Sequence, residues 1–590
     1  MKIVIATRLT SGICKKAGSF SLISFRKLSV KETALARASG IRRFYLPSLS
    51  PSDGKEFEQA FDNFWDDVAA GFPHDHLFWR NTVSSKMQAW GNSIGYLCLV
   101  LFTLTRLPEK ENLKLIIVCN SLEMKKICLL WAGNNGWQLI AGKIKCELYG
   151  RFVQKMTDIM WFFIRFISYT RKKILSAGSA PGTAERKAVL IPSLFYPDSV
   201  RDGLYNDPFF GRLHEYIRSK GHHCVYLCVP LNRATRSTLK KVSQCRDATV
   251  ITTYSLVGWK DLISIFLSLY FRKPEIPERI FMNCGLSGYI RWYSGSFRQT
   301  FSIDAAIYFE AVRRLSKAQQ FSRLIISYEG NVYERACIQA FRSMNSGKVI
   351  GYSHAVIYPL NLKIRLTEIE ASRKPVPDKY ICTGPYAKEL LLKEGKGYKA
   401  SELSDGCVLK DVPEIRKDNN EISDKRKILV ALDGVETAIV MLEWCLEHLG
   451  ALRDFTFKVR FHPNISRESI LGQCINPFPD NVGISDIDLK EDIEESLCVL
   501  YRHSSVGMQA ILNGVPAIHL AIDSPLCGDP LEGLTSYKWR VNALPELAAA
   551  LEEIISLSRE QRETLLNTAS IFVKKYYTNP TEESLYEFIS

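Results

Sequence analysis

The chain has 590 residues, 46% hydrophobic and 24% charged, with a formal net charge of +15. That length exceeds one hydrophobic core and predicts two to four domains, and the composition excludes disordered, collagenous and disulfide-scaffold classes. The sixteen cysteines are scattered without a CxxC pair, as expected of free thiols in a reducing compartment.

The first fifty residues hold ten Lys/Arg against a single acid, Glu32. Such a balance suits an anionic partner, namely lipid headgroups, a phosphorylated substrate or nucleic acid, or it is a solvated surface. The run "KIVIA" reads as a strand and is too short for a signal peptide. "IGYLCLVLFTL" (Ile94–Leu104) is too short to cross a bilayer. "LKLIIVCNSLEMKKICLLWAGNNGW" predicts a strand and a helix ending near Gly133, with Gly and Asn at its C-terminus. Residues 1–150 thus form an N-terminal α/β region. "WFFIRFISYTRKK" (Trp161–Lys173) has the aromatic and basic make-up of an interfacial helix, against the alternative of packing on another domain. Residues 151–186 are this helix and a linker, "SAGSAPGTAER".

From Lys187 the pattern alternates strands and helices: "KAVLIPSL", "HHCVYLCVPL", "DATVITTY", "RLIISYEG", "KVIGYSH" and "DKYICTG". The alternation predicts a doubly wound, mostly parallel sheet over 187–415. "HHCVYLC" contains metal-type residues, and strand alternation accounts for them. After the polar stretch Asp411–Arg426 the pattern restarts over 425–543 with "KILVALDG", "FTFKVRFHP", "LCVLYRHSS", the helix "VGMQAILNG" and "PAIHLAI". Residues 544–590 read as helices. The fold class is therefore α/β, with two tandem Rossmann-like domains and an additional N-terminal α/β region.

Ligands bind at the carboxyl ends of strands in such sheets, which makes the strand-end residues the candidates. Glu329 and Gly330 end "RLIISYEG". A carboxylate there is a general-base candidate, or a cap or loop residue, and the glycine admits φ > 0 and close approach of a substrate. In the second unit His462-Pro463 ends one strand and Ser504-Ser505 ends another. A helix opened by Ser505 would present N–H groups to a phosphate, and the alternative is an ordinary N-cap. Asp433 and Gly434 line the nucleotide pocket or form a plain turn. Glu334 and Arg335 are expected to be surface pairs or to position substrate. Asp486 and Asp488 in "SDIDL" suit a capping loop better than a metal site. No Walker loop, GxSxG elbow or HExxH helix occurs.

The Glu-Gly turn, the His-Pro and the Ser-Ser before a helix and "NGVPAIHL" resemble the GT-B glycosyltransferases that use CMP-activated acidic sugars, among them bacterial sialyltransferases, polysialyltransferases and Kdo transferases. "YEGNVYERA" with "GYSHAVIYPL" is similar to surface carbohydrate biosynthesis proteins of O-antigen clusters. The likeness covers about Lys187–Ile522. It implies Glu329 as general base, His462 as the phosphate-binding and catalytic partner, Ser504 and Ser505 as phosphate contacts, and Gly330, His354, Asp433, Gly434 and Pro463 near the nucleotide or substrate. Tyr328 stands where the sialyltransferase pattern often has a second acid, and Ala355 follows His354 where many relatives have Gly. The expected partners are a nucleotide sugar and a glycan or lipid-linked acceptor, with peripheral contact to an anionic membrane and no nucleic acid. No cofactor or metal is expected. A polyol-phosphate transferase, a nucleotide-sugar epimerase and a non-catalytic assembly partner are the alternatives.

Overall fold

The computed structural model describes residues 2–17, 20–70, 94–107, 113–141, 147–175, 188–196, 199–230, 241–242, 245–271, 278–294, 301–372, 375–409, 426–434, 438–463 and 465–590. The predicted linkers at 176–186 and 411–425 lie outside them.

The N-terminal region carries five strands, β1 (Lys2–Ala6), β2 (Ser21–Ser24), β3 (Arg42–Arg43), β4 (Lys114–Val118) and β5 (Gln138–Ala141). They form one parallel sheet in the order β3-β2-β4-β1-β5. Helix Ile94–Thr105 is buried over its first eleven residues in the core of this unit. Its unbroken apolar run therefore reflects protein on all sides, as a core helix requires. Among the described residues no helix is long and apolar enough to cross a membrane.

The first large unit begins with β6 (Ala188–Phe195), followed by the small hairpin β7 (Val200–Arg201) and β8 (Leu204–Tyr205). Next come β9 (His223–Pro230), β10 (Thr249–Thr252) and a second hairpin, β11 (Ile280–Phe281) with β12 (Cys284–Gly285). Four more strands follow: β13 (Phe321–Ser327), β14 (Lys348–Tyr352), β15 (Lys379–Ile381) and β16 (Leu403–Ser404). Seven of these make a parallel sheet ordered β10-β9-β6-β13-β14-β15-β16. The chain winds one way from β6 and then the other, so the winding reverses between β6 and β13. "HHCVYLC" is indeed strand, namely β9 with His222 just before it.

The second unit repeats the plan with β17 (Lys427–Ala431), β18 (Thr456–Arg460), β19 (Val482–Ile484), β20 (Cys498–Tyr501), β21 (Ala517–Leu520) and β22 (Lys538–Val541). The order β19-β18-β17-β20-β21-β22 puts its reversal between β17 and β20. Strands such as "KILVA" are apolar and buried after their first residue because helices cover both faces of a parallel sheet.

Helix Arg559–Tyr576 leaves the second unit and returns to the first. Tyr576 Oη accepts from the Ile357 amide at 2.6 Å, and Thr578 exchanges backbone bonds with Thr383 and Val408. Phe588 and Ile589 then enter the core of the first unit beside Tyr352 and Ile381, and Arg323 donates to the Ser590 carbonyl at 2.7 Å.

The N-terminal unit is wedged against both others. Arg365 of the first unit reaches Asp62 at 3.0 Å, Glu394 at 3.1 Å and Glu58 at 3.3 Å in a buried network. Toward the second unit, Arg37 donates to the carbonyls of Cys474 and Ile475, Arg42 pairs with Glu447, and the Leu46 amide donates to Asp523. Arg26 is held by Glu32 within the unit. Several of the N-terminal cations are thus structural links and not a free basic surface. The described cysteines are free, and all but Cys245 and Cys527 are buried.

Candidate functional site

Each large sheet places charged residues where its winding reverses. In the first, β13 ends at Ser327, and the turn Tyr328-Glu329-Gly330 leads to helix Val332–Arg342. Gly330 has φ +80°, and a Cβ there would lie 2.5 Å from the Lys363 carbonyl oxygen. Only glycine meets both demands, so the segment 353–364 after β14 can lie directly on the turn. That segment delivers two side chains to Glu329. His354 Nε2 lies 3.1 Å from Oε1, and Lys363 Nζ donates to Oε2 at 2.8 Å and to Asn331 Oδ1 at 3.1 Å. Burial favours the neutral acid, but Lys363 and His354 outweigh it and hold Glu329 down at about 2.

Glu334 and Arg335 are not surface residues; both are buried. Glu334 closes the helix start, accepting from the amides of Glu329 (2.9 Å) and Asn331 (2.7 Å). Burial, with the charge of Glu329 nearby, pushes it up to about 7. Arg335 pairs with buried Glu370 at 3.1 Å. The sequence gives their charge but not that the helix is covered on this side.

In the second unit β17 runs out into Leu432-Asp433-Gly434. Asp433 Oδ2 lies 3.3 Å from His503 Nδ1 and 3.6 Å from Arg502, both just past β20. Arg502 also donates to the carbonyls of Ile522 at 3.1 Å and Asp523 at 2.9 Å. Burial and the neighbouring guanidinium push His503 down to about 4, against the pull of Asp433. The His462 ring lies against Gly434, where a Cβ would come within 2.9 Å of it. Burial lowers His462 while Asp433 raises it, with burial the larger effect.

Asp433, Gly434 and His462 are therefore together, with exposed Pro463 beyond them. Ser504 and Ser505 follow His503. Ser505 occupies the N-cap position in helical geometry without a side-chain capping bond, and the Ser504 hydroxyl accepts from the Val506 amide at 3.3 Å. The helix Val506–Leu512 has only seven residues. One of its first-turn N–H groups, that of Val506, is thus already taken by Ser504.

Segment 353–364 joins the two ends. The Tyr358 ring stacks on His503 with centroids 6.0 Å apart, and the Leu360 amide donates to the Cys527 carbonyl at 2.9 Å. Burial, followed by the charges of Asp433 and Glu329, pushes the Tyr358 hydroxyl far up. One phenol thus feels both carboxylates. Tyr358, Lys363, Arg502 and His503 were not singled out from the sequence. The signal for Arg502 and His503 was their place in "LCVLYRHSS", one step before the serines. Asp488 caps helix Leu489–Glu494 through the Lys490 amide, and Asp486 pairs with Arg467, as a capping loop would.

No family model matches this chain, and no curated protein does. Solved structures align with it over roughly two thirds of its length. A structure titled TarM is 10% identical, covers 69% of this chain and 98% of its own, and gives a TM-score of 0.40. Acinetobacter baumannii MurG is 11% identical over 68% and 98%, with a TM-score of 0.35. A UDP-N-acetylglucosamine 2-epimerase so described from Listeria monocytogenes is 10% identical over 65% and 91%, at 0.38. These similarities are too distant to carry a role to this chain. Its own topology is two tandem Rossmann-like units crossed by a returning C-terminal helix and extended by the N-terminal sheet, the α/β class expected from the sequence.

Proposed function

We propose that the protein is an inverting glycosyltransferase that needs no metal and moves a sugar from a nucleotide-activated donor to a hydroxyl of a glycan or lipid-linked acceptor. The observation that carries this reading is the His354–Glu329 contact at the reversal of the first sheet, joined through segment 353–364 to the Asp433, Gly434 and His462 end of the second. In such a transfer the acceptor oxygen attacks the anomeric carbon, its proton passes to a base, and the bond to the donor phosphate breaks with charge developing on the phosphate. A base works best with a pKa near the operating pH, and Glu329, held at about 2, is far from it. His354 is the proton acceptor, and Glu329 orients its ring and stabilises the imidazolium as a carboxylate does in a catalytic triad. His462 and the hydroxyls of Ser504 and Ser505 meet the leaving phosphate, where donors matter most.

The resemblance carried by the Glu-Gly, His-Pro and Ser-Ser turns supports a CMP-linked acidic sugar as donor and a surface polysaccharide as acceptor, and a lipid-linked acceptor would put the enzyme's work at the inner face of the cell membrane. Thermal shift against CMP, UDP, GDP and CDP tests the donor, with a stabilisation of about 2.7 kcal/mol expected at a hundredfold excess over Kd. Nucleotide release should require added glycan and survive EDTA. Release without acceptor would favour an epimerase or hydrolase, and loss in EDTA restored by magnesium would return Asp486 and Asp488 as ligands.

A further inference from the structure

Helix Glu147–Leu175 spans 29 residues, about 43 Å at 1.5 Å per residue. One face lies on the first unit. Phe162, Phe166 and Tyr169 pack edge-on against Phe266, Tyr270 and Tyr254, with centroids 5.2 to 5.9 Å apart. Rising numbers on one helix meet falling numbers on the other, so Trp259–Phe271 runs antiparallel beside it.

Among the described residues a second apolar stripe has no such cover. Phe152, Met156, Met160, Phe163, Ile167 and Ile174 recur at steps of three, four or seven residues and are 49–66% exposed. On the neighbouring helix Trp259, Ile263, Leu267 and Phe271 repeat every fourth residue and are 45–71% exposed. Contiguous apolar surface of this kind marks an interaction site, not chance exposure. Its charge selects the partner. Lys172 and Lys173 turn to Tyr254 on the first unit, whereas Lys155 and Arg171, and Lys260 on the neighbouring helix, are exposed. A second copy of the chain would bring like charges together, whereas an anionic bilayer accepts both the apolar ridge and its cations.

We propose that these two antiparallel helices form an interfacial docking surface for a membrane rich in anionic lipid. The ridge enters the headgroup boundary without crossing the bilayer, and the cations beside it meet lipid phosphates. This inference deepens the membrane location of the proposed function, but its vesicle test does not depend on sugar transfer. The test is sedimentation of the full chain with vesicles of phosphatidylcholine alone or mixed with phosphatidylglycerol, at low and high salt. The same is done for a variant carrying Phe163→Ser, Ile167→Ser and Phe271→Ser, and mass is followed by light scattering. Expected are binding to the mixed vesicles that weakens with salt, and partitioning reduced roughly tenfold or more in the variant. The three side chains are exposed, so an unchanged circular dichroism melt is expected and separates lost docking from misfolding. No binding to mixed vesicles at low salt, equal binding to neutral vesicles, or binding unaffected by the three substitutions would each overturn the proposal. A dimer that these substitutions dissociate, without lipid binding, would assign the face to a second copy.

Discussion

The two Rossmann-like sheets solve the same local problem differently. At the reversal of the first, Glu329, His354 and Lys363 keep partial contact with solvent, their side chains 11–19% exposed. At the reversal of the second, Asp433, Arg502 and His503 are 2–4% exposed, and Arg502 is committed to carbonyls and to two aspartates. On the proposed reading the first set exchanges protons with a substrate, while Arg502 in the second fixes backbone. Equivalent positions in one topology thus differ in burial and in hydrogen-bond commitment, and the proposed function assigns chemistry to the more open one.

The sharpest break of this contrast is His354→Ala. It should lower turnover by about 10²–10⁴-fold, the range for loss of a general base, with the melting profile unchanged. Glu329→Gln should lower turnover less and move the acid limb of the rate profile to lower pH, because the imidazole loses the anion that favours its protonation. An unmoved limb would return the proton to another group.

At the other reversal the cost should fall on stability. Arg502→Met leaves Asp433 and Asp523 without their buried cation, a loss of about 3–5 kcal/mol when one partner of such a pair is removed. Denaturant unfolding followed by hydrogen exchange on β17 and β20 should locate that loss in the second unit. Gly330→Ala should cost about 1–2 kcal/mol from the left-handed backbone alone, more once the Lys363 carbonyl is displaced, and should lower activity by moving Lys363 and His354.

The last contrast is a separation in pH. His503 is held at about 4 against an ordinary 6.5, so the folded state binds fewer protons than the unfolded between those values. Stability from this residue is complete above 6.5 and is lost as pH falls toward 4. Glu329, at about 2 against 4.5, contributes above 4.5 and is lost toward 2. Acidification should therefore loosen the second reversal before the first, and His503→Gln should remove the earlier phase. Hydrogen exchange at stepped pH reads the order.

Much of this layout was legible in the sequence. The long apolar runs ending in Glu329, Asp433 and His462 are strands whose last residues lie at the carboxyl edge, and period and composition reveal such runs. Strands of two to four residues, such as β3, β16 and β22, carry too little pattern, so the N-terminal region did not show its full five-stranded sheet. Lys363 and Tyr358 reach the site from a segment with no periodicity, seated by contact with a glycine turn in one unit and a histidine in the other. Arg502 and His503 look like polar loop residues until the surrounding elements bury them. Glu334 looked exposed for the same reason.

The return of the chain to its first large unit bears on how the protein is made. Phe588 and Ile589 complete a core otherwise built by residues up to Leu409, roughly 180 residues earlier. At a synthesis rate of about 5–20 residues per second, the earlier part waits on the order of 10–40 s on the ribosome for its last apolar side chains. During that interval the strands around Tyr352 and Ile381 have an uncovered edge of core, while the second unit, whose sheet is complete by Val541, can close first. The order of emergence and the order of completion are therefore reversed, and nascent-chain quality control would meet this protein through its first unit.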